Sequence, residues 1–275
     1  MRNSIRLGLG ALVLAGVLLG ACRPHAAASG PTPQLRVMTY NIQAGGVALD
    51  SVAAVIRGAR ADVVALQEVD VHWSARSQFV DQAESLATLL GMQARFAPIY
   101  TLPGNAAGDP PRQYGVAFLS RLPIASFTNH TLTRHSTLTT TATPEPMPGF
   151  LEAIVRVGGT SVRVFSTHLD YRGDPTVRRQ QVAETMRILG DDARPIVLCG
   201  DFNAVPTAPE LTPLRTRLHD AWPDSSGAGF TYPAERPVRR IDYVMLSSHF
   251  QVLEARVPDT QASDHRPVLV TLLFR

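Results

Sequence analysis

The sequence predicts an α/β protein in which mixed β-sheets pack against each other with helices on the outside. Short apolar runs typical of buried strands outnumber the segments with helical spacing, and helices separate only some of these strands. A strict alternation of strands and helices would favour one parallel sheet, so the observed pattern favours packed mixed sheets. With 275 residues, the chain can bury such a core without disulfide bonds.

The first half of the chain contains strands and helices in turn. A nearly continuous apolar run, as in residues 62–68, is typical of a strand buried on both faces. Two segments rich in Gly and Pro or in Thr and Pro are predicted as surface loops. The predicted elements are strands over 35–41 and 62–68, helices over 50–60 and 78–90, and loops over 102–112 and 134–149.

Strands dominate from residue 115 onward. The Gly158-Gly159 pair between two apolar runs indicates a hairpin, and one further helix follows it. The predicted strands are 115–120, 124–131, 154–157, 162–168, 196–199, 241–246, 251–257 and 267–274, with the helix over 176–189.

The charged residues limit the chemistry. The chain has 26 basic and 23 acidic side chains, and every basic one is Arg. Without Lys, the protein can form neither a lysine Schiff base nor the Gly-Lys-Ser/Thr phosphate loop. A formal net charge of +3 is too small to indicate a nucleic-acid or membrane surface by itself. Cationic contacts with a substrate would depend on Arg, whose planar guanidinium suits phosphate and carboxylate oxygens.

Residues 1–21 have the composition of a secretory signal peptide. Arg2 and Arg6 precede an uninterrupted apolar run, which is shorter than the roughly 20 residues of a membrane-spanning helix. The run ends in Leu19-Gly20-Ala21-Cys22, which resembles the lipobox of bacterial lipoproteins. We therefore expect lipidation of Cys22 and a protein anchored to a membrane of the cell envelope.

A tether follows the signal peptide. Residues 22–34 are rich in Pro, Ala and Ser and have no apolar face to bury. Ordinary signal-peptidase cleavage after the alanines at 26–28 is the alternative, and its product would be periplasmic or secreted. Without residues 1–21, 24 Arg stand against 23 acids, so the remaining chain is nearly neutral.

Polar side chains collect where the predicted strands end. Asn41, Glu68 and His168 close three strands, and Asp201 and Asn203 follow a fourth in Gly-Asp-Phe-Asn. Polar groups at the carboxyl ends of strands lie at a sheet edge, where binding sites form. Each motif alone also fits a turn or a solvated strand end, but their joint occurrence favours a site.

Two further motifs lie near the C-terminus. Asp242 is part of Arg-Ile-Asp-Tyr-Val, and the adjacent Asp264 and His265 precede the last strand. Carboxylates together with a carboxamide suit a hard cation such as Mg²⁺ or Mn²⁺. A cation with His and Asp nearby suits the attack of water on a phosphorus centre.

Together, the ordered motifs resemble those of the endonuclease/exonuclease/phosphatase superfamily, and most closely its bacterial metal-dependent hydrolases. The resemblance covers nearly all of residues 35–275 and implies that they form a catalytic domain. It further implies a four-layer α/β sandwich, with two mixed β-sheets face to face and helices outside. The motifs are TYNIQAG, LQEVD, THLD, GDFNA, RRIDYV and SDHRPV.

The resemblance also implies a cation site and a catalytic group. Glu68 would be the main metal ligand, with Asn41 and Asp264 close to the same Mg²⁺ or Mn²⁺. His265 would act as the general base or accept the proton through water, and Asp242 would fix its tautomer.

The remaining roles concern water and phosphate. Asp201 would position the attacking water, Asn203 would hold a phosphate oxygen, and His168 would stabilise the charge of the transition state. Whether Asp201 or His265 takes the proton, and whether one or two metal ions act, stays open.

Weaker expectations concern the substrate. Tyr114 and Arg240 are candidate substrate contacts, although an aromatic before a strand and a surface Arg are also common structural residues. Gln43 and Met147 depart from the family pattern, which has His and Arg at these places. A substrate different from that of the relatives would follow if these positions touch it.

These observations lead to one main function and its competitors. We expect a Mg²⁺-dependent phosphoester hydrolase, more specifically a phosphodiesterase, that acts as a monomer on a phosphorylated small molecule, a phospholipid headgroup or a nucleic acid. A near-neutral domain without Lys argues mildly against a nuclease. A catalytically silent binding lipoprotein is the alternative from another class. Loss of a metal ligand or of the general base would be its signature, and the motif set lacks neither.

Overall fold

Twelve β-strands form the framework of the part of the chain that the structure describes. The computed structural model describes residues 33–45, 48–139, 143–223 and 226–275, so the expected signal peptide, Cys22 and most of the tether lie outside the described residues. The strands are β1 (Gln34–Asn41), β2 (Val63–Val71), β3 (Gln93–Leu102), β4 (Arg112–Ser120), β5 (Ile124–Arg134), β6 (Glu145–Val157), β7 (Thr160–His168), β8 (Ile196–Asp201), β9 (His219–Asp220), β10 (Asp242–Leu246), β11 (Phe250–Arg256) and β12 (Val268–Phe274).

The strands form two six-stranded sheets. The first has the order β11-β12-β1-β2-β4-β3, and the second has the order β5-β6-β7-β8-β10-β9. The pairs β1–β2 and β7–β8 are parallel, whereas the other paired strands run antiparallel. Both sheets are therefore mixed, as the sequence predicts.

Helices cover the outer faces of both sheets. Along β2, Val63 and Ala65 face the core between the sheets, while Val64 and Leu66 face the helices, as the two-residue period of a strand requires. The outer layer of the second sheet packs on residues such as Phe165 in the same way. The helices are α1 (Leu49–Ala59), α2 (Gln82–Leu90), α3 (Thr176–Leu189) and α4 (Thr212–Arg215). This arrangement confirms the four-layer α/β sandwich.

The strand β3 is an element that the sequence did not predict. It lies at the edge of the first sheet and pairs only with β4, with a register shift between Pro98 and Tyr100. Proline lacks the N–H group that a central strand needs, but an edge strand tolerates it on its open side. The proline obscured the strand pattern for this reason.

The predicted loop over 134–149 is shorter in the structure. Strand β6 begins at Glu145, and the segment that contains Pro146 and Pro148 pairs with β5 but not with β7. Its other side has no strand partner there, so the prolines displace no ladder hydrogen bond.

The helix predicted over 78–90 begins four residues later than expected. Gln78 and Phe79 adopt left-handed backbone angles, with φ of 52° and 54°, which do not occur within a right-handed helix, so the helix cannot include them. The carboxylate of Asp81 then accepts a hydrogen bond from the Glu84 N–H and caps α2. Among the described residues, no helix combines the length and apolar character needed to cross a membrane.

Candidate active site

The two parallel strand pairs deliver their carboxyl ends to one cleft between the sheets. In the second sheet, His168 at the end of β7 is the register neighbour of Asp201 at the end of β8. Asp242, the first residue of β10, is the antiparallel partner of Asp201 from the other side. Three of the predicted residues therefore lie side by side because of sheet register alone.

A close approach of two backbones explains the glycine of the Gly-Asp-Phe-Asn motif. A Cβ atom on Gly200 would lie 2.2 Å from the carbonyl oxygen of Thr167 on the neighbouring strand. No side chain fits there, so Gly200 is what allows β8 to bring Asp201 next to His168.

Glu68 reaches the cleft through a β-bulge. The pairing of β2 with β4 shifts between Leu66 and Val69, and Glu68 adopts a left-handed φ of 55°. Its neighbour Gln67 stays on the face between the sheets, where its amide donates to the hydroxyl of Ser166 at 3.2 Å. Backbone strain of this kind often marks functional positions, because a regular strand would not present the side chain there.

Asn41 connects the two sheets at the base of the cleft. Its Nδ2 atom donates to Oε1 of Glu68 at 2.9 Å and to Oδ2 of Asp201 at 3.2 Å. Its Oδ1 atom accepts a hydrogen bond from the Gln43 N–H at 3.1 Å. The amide thus presents a donor to both carboxylates, a position from which it can orient Glu68 and Asp201.

His265 and Asp242 form a buried pair. Nδ1 of His265 donates to Oδ2 of Asp242 at 2.9 Å, and both side chains are nearly inaccessible to water. Burial by itself would lower the pKa of His265, but the carboxylates of Asp242, Asp201 and Asp264 raise it to about 10. The hydrogen bond to Asp242 fixes the ring so that Nε2 faces Asp201.

Asp201 lies between two imidazoles. Its Oδ2 atom is 3.6 Å from Nε2 of His168 and 3.7 Å from Nε2 of His265. Burial and the nearby charge of Asp242 raise the pKa of Asp201, while the two histidines oppose this shift. Its Oδ1 atom accepts a hydrogen bond from the Asn203 N–H at 2.8 Å, which fixes the turn after β8.

A cavity of about 380 Å³ opens over these residues. Asp264 lies in its wall, and burial followed by the charge of Glu68 raises the pKa of Asp264. The side chain of Asn203 also borders the cavity, although its Nδ2 atom already donates to the Leu169 carbonyl at 3.1 Å. The predicted site residues that line the cavity are Glu68, Tyr114, His168, Asp201, Asn203, Asp264 and His265. Asn41 and Asp242 contact members of this set from behind.

Arg240, predicted as a substrate contact, has its guanidinium engaged with other residues in the structure. Arg240 is not among the residues that line the cavity; its Nη1 atom pairs with Oδ2 of Asp220 at 2.7 Å. Its guanidinium also packs on the ring of Tyr243, 4.8 Å from the centroid. Neighbouring residues in extended backbone point in opposite directions, so the adjacent Arg239 lines the cavity instead.

Tyr114 belongs to an aromatic wall of the cavity. It stacks on Tyr100 at a centroid distance of 6.0 Å, and Trp73 lies 5.9 Å from it. Burial, followed by the negative charge of Glu68, raises the pKa of Tyr114 well above its usual value. Its phenol therefore stays protonated at neutral pH and can donate a hydrogen bond to an oxyanion.

Sequence reasoning missed Arg134 because it fell in a predicted loop. In the structure it ends β5, its Nη1 atom donates to the His168 carbonyl at 2.6 Å, and its Nη2 atom donates to the Gly149 carbonyl at 3.0 Å. A cation at the end of a strand was the available signal, as it was for the acids. Tyr100 was missed together with the whole of β3.

Two groups of side chains fit a divalent cation in different ways. Asp201, Asp242 and His265 each place one potential ligand atom within 4.8 Å of the others. However, Asp242 Oδ2 and His265 Nδ1 already bond to each other. Glu68 and Asp264 offer two carboxylates in the cavity wall, and a cation between them would relieve the repulsion that raises the pKa of Asp264.

Comparison with known proteins points to one family. A family model described as "Endonuclease/Exonuclease/phosphatase family" matches residues 38–265. No curated protein sequence matches this chain. Among solved structures, the chain is similar to an endonuclease/exonuclease/phosphatase from Beutenbergia cavernae, with 27% sequence identity and a TM-score of 0.67 over 88% of this chain and 72% of the other.

Two more distant structures share the fold. The catalytic domain of human Nocturnin, determined with a bound sulfate anion, has 22% identity and a TM-score of 0.65 over 88% of this chain and 94% of the other. A mannosyl-6-phosphatase from Bacteroides thetaiotaomicron has 19% identity and a TM-score of 0.65 over 87% of this chain and all of the other. At these identities the likeness extends to the fold alone.

Proposed function

The chain belongs to the endonuclease/exonuclease/phosphatase family, whose members hydrolyse phosphoesters, and from this premise we propose that it is a Mg²⁺-dependent phosphodiesterase. One observation carries the proposal: the Asp201 carboxylate lies within 3.7 Å of the Nε2 atoms of both His168 and His265, in the wall of a cavity that also contains Glu68 and Asp264. The proposed proton-transfer groups and the proposed cation ligands thus border the same space.

Glu68 and Asp264 are the residues that would hold the cation. Carboxylate oxygens are the ligands that Mg²⁺ and Mn²⁺ prefer, and Asn41 would hold Glu68 in place through the hydrogen bond from its amide. When bound, the cation would neutralise the charge of phosphoryl oxygens. We propose an orienting role for Asn41 rather than the ligand role expected from the sequence.

Asp201 would take the proton of the attacking water, with His265 as its charged partner. Despite burial, the surrounding carboxylates raise the pKa of His265 to about 10, so its ring is protonated at neutral pH, and its Nε2 atom is 3.7 Å from Oδ2 of Asp201. Asp242 keeps the His265 ring in the orientation that this pairing needs. Removal of either member of the pair would therefore remove most of the activity.

His168 and Asn203 would bind the phosphoryl oxygens. Both line the cavity on either side of Asp201, and neither is a carboxylate that would repel phosphate. The main-chain carbonyl of His168 is fixed by Arg134, so the imidazole starts from a rigid backbone. Hydrogen-bond donors placed in advance where negative charge develops are a main source of catalysis.

A chromogenic diester tests the proposed function. Purified residues 23–275 should hydrolyse bis(4-nitrophenyl) phosphate with added Mg²⁺ or Mn²⁺ and should lose this activity in excess chelator. Asp201→Asn should abolish turnover, whereas Asp220→Asn, which alters a carboxylate paired with Arg240 outside the cavity, should retain it. The absence of metal-dependent turnover on diester, monoester and phospholipid substrates alike would refute the proposal.

We further propose that Cys22 anchors the enzyme to a membrane of the cell envelope. The support is the apolar run over residues 7–21 that ends at this cysteine, because a lipidated cysteine at that position would become the first residue of the mature chain. The near-neutral charge of the remaining chain adds no electrostatic attraction to lipid.

A further inference from the structure

Two guanidinium groups in the cavity wall have no acidic partner among the described residues. Arg134 and Arg239 line the cavity, and neither takes part in an ion pair there. Arg172, the third Arg of the wall, differs because it pairs with Asp170. The other Arg residues of low exposure also have acidic partners: Arg163 pairs with Glu152, Arg178 with Glu210 and Arg240 with Asp220.

Arg134 is a buried cation whose hydrogen bonds, among the described residues, go to main-chain carbonyls. It is 6% exposed, its Nη1 and Nη2 atoms donate to the carbonyls of His168 and Gly149, and its Nε atom has no hydrogen-bond partner among the described residues. Burial lowers the pKa of its guanidinium to about 10, and Asp170 and Glu184 oppose this shift without forming an ion pair with it. A buried charge without a directly bonded counter-charge is costly, so this arrangement favours an anion in the cavity.

Arg239 supplies a side chain that is free to bind. Its backbone is fixed, because its N–H donates to the Tyr232 carbonyl at 2.9 Å and its carbonyl accepts from the Thr231 N–H at 2.8 Å. Its side chain is exposed and borders the cavity. A fixed backbone that presents a free guanidinium suits the two-pronged recognition of an oxyanion.

The hydrolytic groups do not account for these two cations. The proposed chemistry uses Glu68 and Asp264 for the cation, and His168 and His265 beside Asp201. Arg134 comes from the end of β5 and Arg239 from the segment before β10, so two different elements supply them to the lining of the cavity. They add positive charge to that of the groups that would hold the scissile phosphate.

We propose that Arg134 and Arg239 form a second anion subsite, and that the substrate is a small phosphoester with a further oxyanion on the part away from the scissile bond. This inference rests on the proposed function of the same cavity. Arg239 binds the oxyanion directly, and Arg134 contributes a fixed positive field from within the wall. The volume of about 380 Å³ is typical of sites for small molecules, so phosphate, carboxylate or sulfonate on a compact substrate fits the space.

Two substrates with the same leaving group test the subsite. Ethyl 4-nitrophenyl phosphate and 2-sulfoethyl 4-nitrophenyl phosphate differ only in a remote sulfonate. The wild-type protein should hydrolyse the sulfonated diester with a kcat/KM about tenfold higher, because a charge-assisted hydrogen bond is gained. Arg239→Gln should bring the ratio of the two kcat/KM values close to one, and Arg236→Gln, an exposed Arg outside the cavity wall, should leave the ratio unchanged.

The role of Arg134 is tested by comparing a substitution that keeps its positive charge with one that removes it. Arg134→Lys should keep most of the preference for the sulfonated diester, while Arg134→Gln should reduce it, with thermal unfolding used to confirm that both variants fold. Equal kcat/KM values for the two diesters in an active wild-type protein would overturn the subsite and leave the proposed hydrolase intact.

A binding measurement separates the two proposals. In chelator and at matched ionic strength, propane-1-sulfonate should bind the wild-type protein about tenfold more tightly than it binds Arg239→Gln, as measured by calorimetry. Arg236→Gln should bind it like the wild-type protein. If this difference is present but no diester is hydrolysed, the subsite stands and the hydrolase fails; if Arg239→Gln binds the sulfonate as tightly as the wild-type protein, the subsite fails.

Discussion

His265 and Asp242 join the two sheets of the sandwich at the candidate site. Nδ1 of His265, which lies just before β12 of the first sheet, donates to Oδ2 of Asp242 on β10 of the second sheet at 2.9 Å. The other ring nitrogen faces Asp201, at the end of β8. The geometry of one imidazole therefore depends on the packing of both sheets, so the fold and the proton-transfer group are coupled.

Replacing Asp242 should impair turnover without unfolding the protein. Asp242→Asn removes the charge that supports the protonated ring and allows the amide to face the imidazole with either a donor or an acceptor, so neither the charge nor the orientation of His265 is fixed any longer. We expect kcat to fall about 10²- to 10⁴-fold, the usual range for a disabled acid–base group. Steady-state kinetics on bis(4-nitrophenyl) phosphate measure this effect.

Asp220→Asn is the matched control for this experiment, because it changes the same residue type at a pair with Arg240 outside the cavity. Its kcat should stay within about twofold of the wild-type value, as expected for a partly exposed ion pair. Equal losses in the two variants would mean that the effect of Asp242→Asn comes from the fold and not from His265.

The affinity for a divalent cation should show that Glu68 is a ligand and that Asn41 only orients it. Glu68→Gln removes a proposed ligand, and Asn41→Ala removes only the amide that orients it. We expect the affinity for Mn²⁺, followed by electron paramagnetic resonance, to fall roughly 10–100-fold for Asn41→Ala, as for other groups that orient a metal ligand, and further for Glu68→Gln. Glu254→Gln, at an exposed position, serves as the control. A larger loss for Asn41→Ala than for Glu68→Gln would restore Asn41 as the ligand.

The sequence predicts most of the site because several of its polar residues end regular strands. Asn41, His168 and Asp201 close apolar runs, and the parallel pairing of such runs brings their ends to one edge. Arg239 lines the cavity and Arg240 does not, which the sequence could not indicate. In an extended segment, a shift of one residue turns a side chain to the opposite face, so two consecutive Arg residues cannot be told apart from sequence.

Other features depend on tertiary packing that no local pattern reveals. The left-handed φ of Glu68 and the β-bulge around it follow from the pairing of β2 with β4, not from a turn residue in the sequence. Arg134 became a cavity residue only because β5 and β6 extend as a ribbon beyond the sheet. Long-range contacts of this kind are what single-sequence patterns lack.

The close approach of β7 and β8 makes Gly200 sensitive to substitution. In Gly200→Ala the new Cβ atom would lie 2.2 Å from the Thr167 carbonyl oxygen, and backbone atoms on both strands would have to move. We expect a loss of about 1–3 kcal/mol in the free energy of unfolding, the usual cost of overpacking. Gly159→Ala, in open space at the Val157–Thr160 hairpin, should change this free energy by less than about 0.5 kcal/mol.

Urea denaturation followed by circular dichroism gives both free energies of unfolding. Similar values for Gly200→Ala and Gly159→Ala would show that β8 can move away from β7 at little cost, which contradicts the tight packing described above.

A buried carboxylate far from the cavity should contribute to stability in a pH-dependent way. Glu152 accepts hydrogen bonds from Arg163 at 2.6 Å and from His130 at 2.8 Å. Burial alone would raise the pKa of Glu152, but these partners lower it below its ordinary value. Because the folded-state pKa is depressed, the stabilisation is present above the unfolded-state pKa and is lost as the pH falls through the folded-state pKa.

Glu152→Gln should therefore destabilise the protein at pH 7 by about 1–3 kcal/mol, as expected when a charged hydrogen bond is lost. The difference from the wild-type protein should shrink as the pH falls below about 4, near the ordinary range of a Glu side chain. Glu254→Gln, whose partner Arg256 is 3.8 Å away in an exposed pair, should have little effect at either pH. A constant difference across pH would contradict the depressed pKa.

Membrane attachment through Cys22 is tested on the full chain with a matched cysteine variant. Lipidation requires a thiol at position 22, so Cys22→Ser should move the protein from the membrane fraction of a bacterial host to the soluble fraction and abolish the incorporation of labelled palmitate. Cys199→Ser is the control, because Cys199 is buried between the sheets and burial raises the pKa of its thiol, which makes it unreactive. The control should remain in the membrane fraction and retain the label. Membrane association of Cys22→Ser equal to that of the wild-type protein would exclude a lipid anchor at this residue. A wild-type protein found in the soluble fraction and without the label would favour cleavage after the alanines at 26–28.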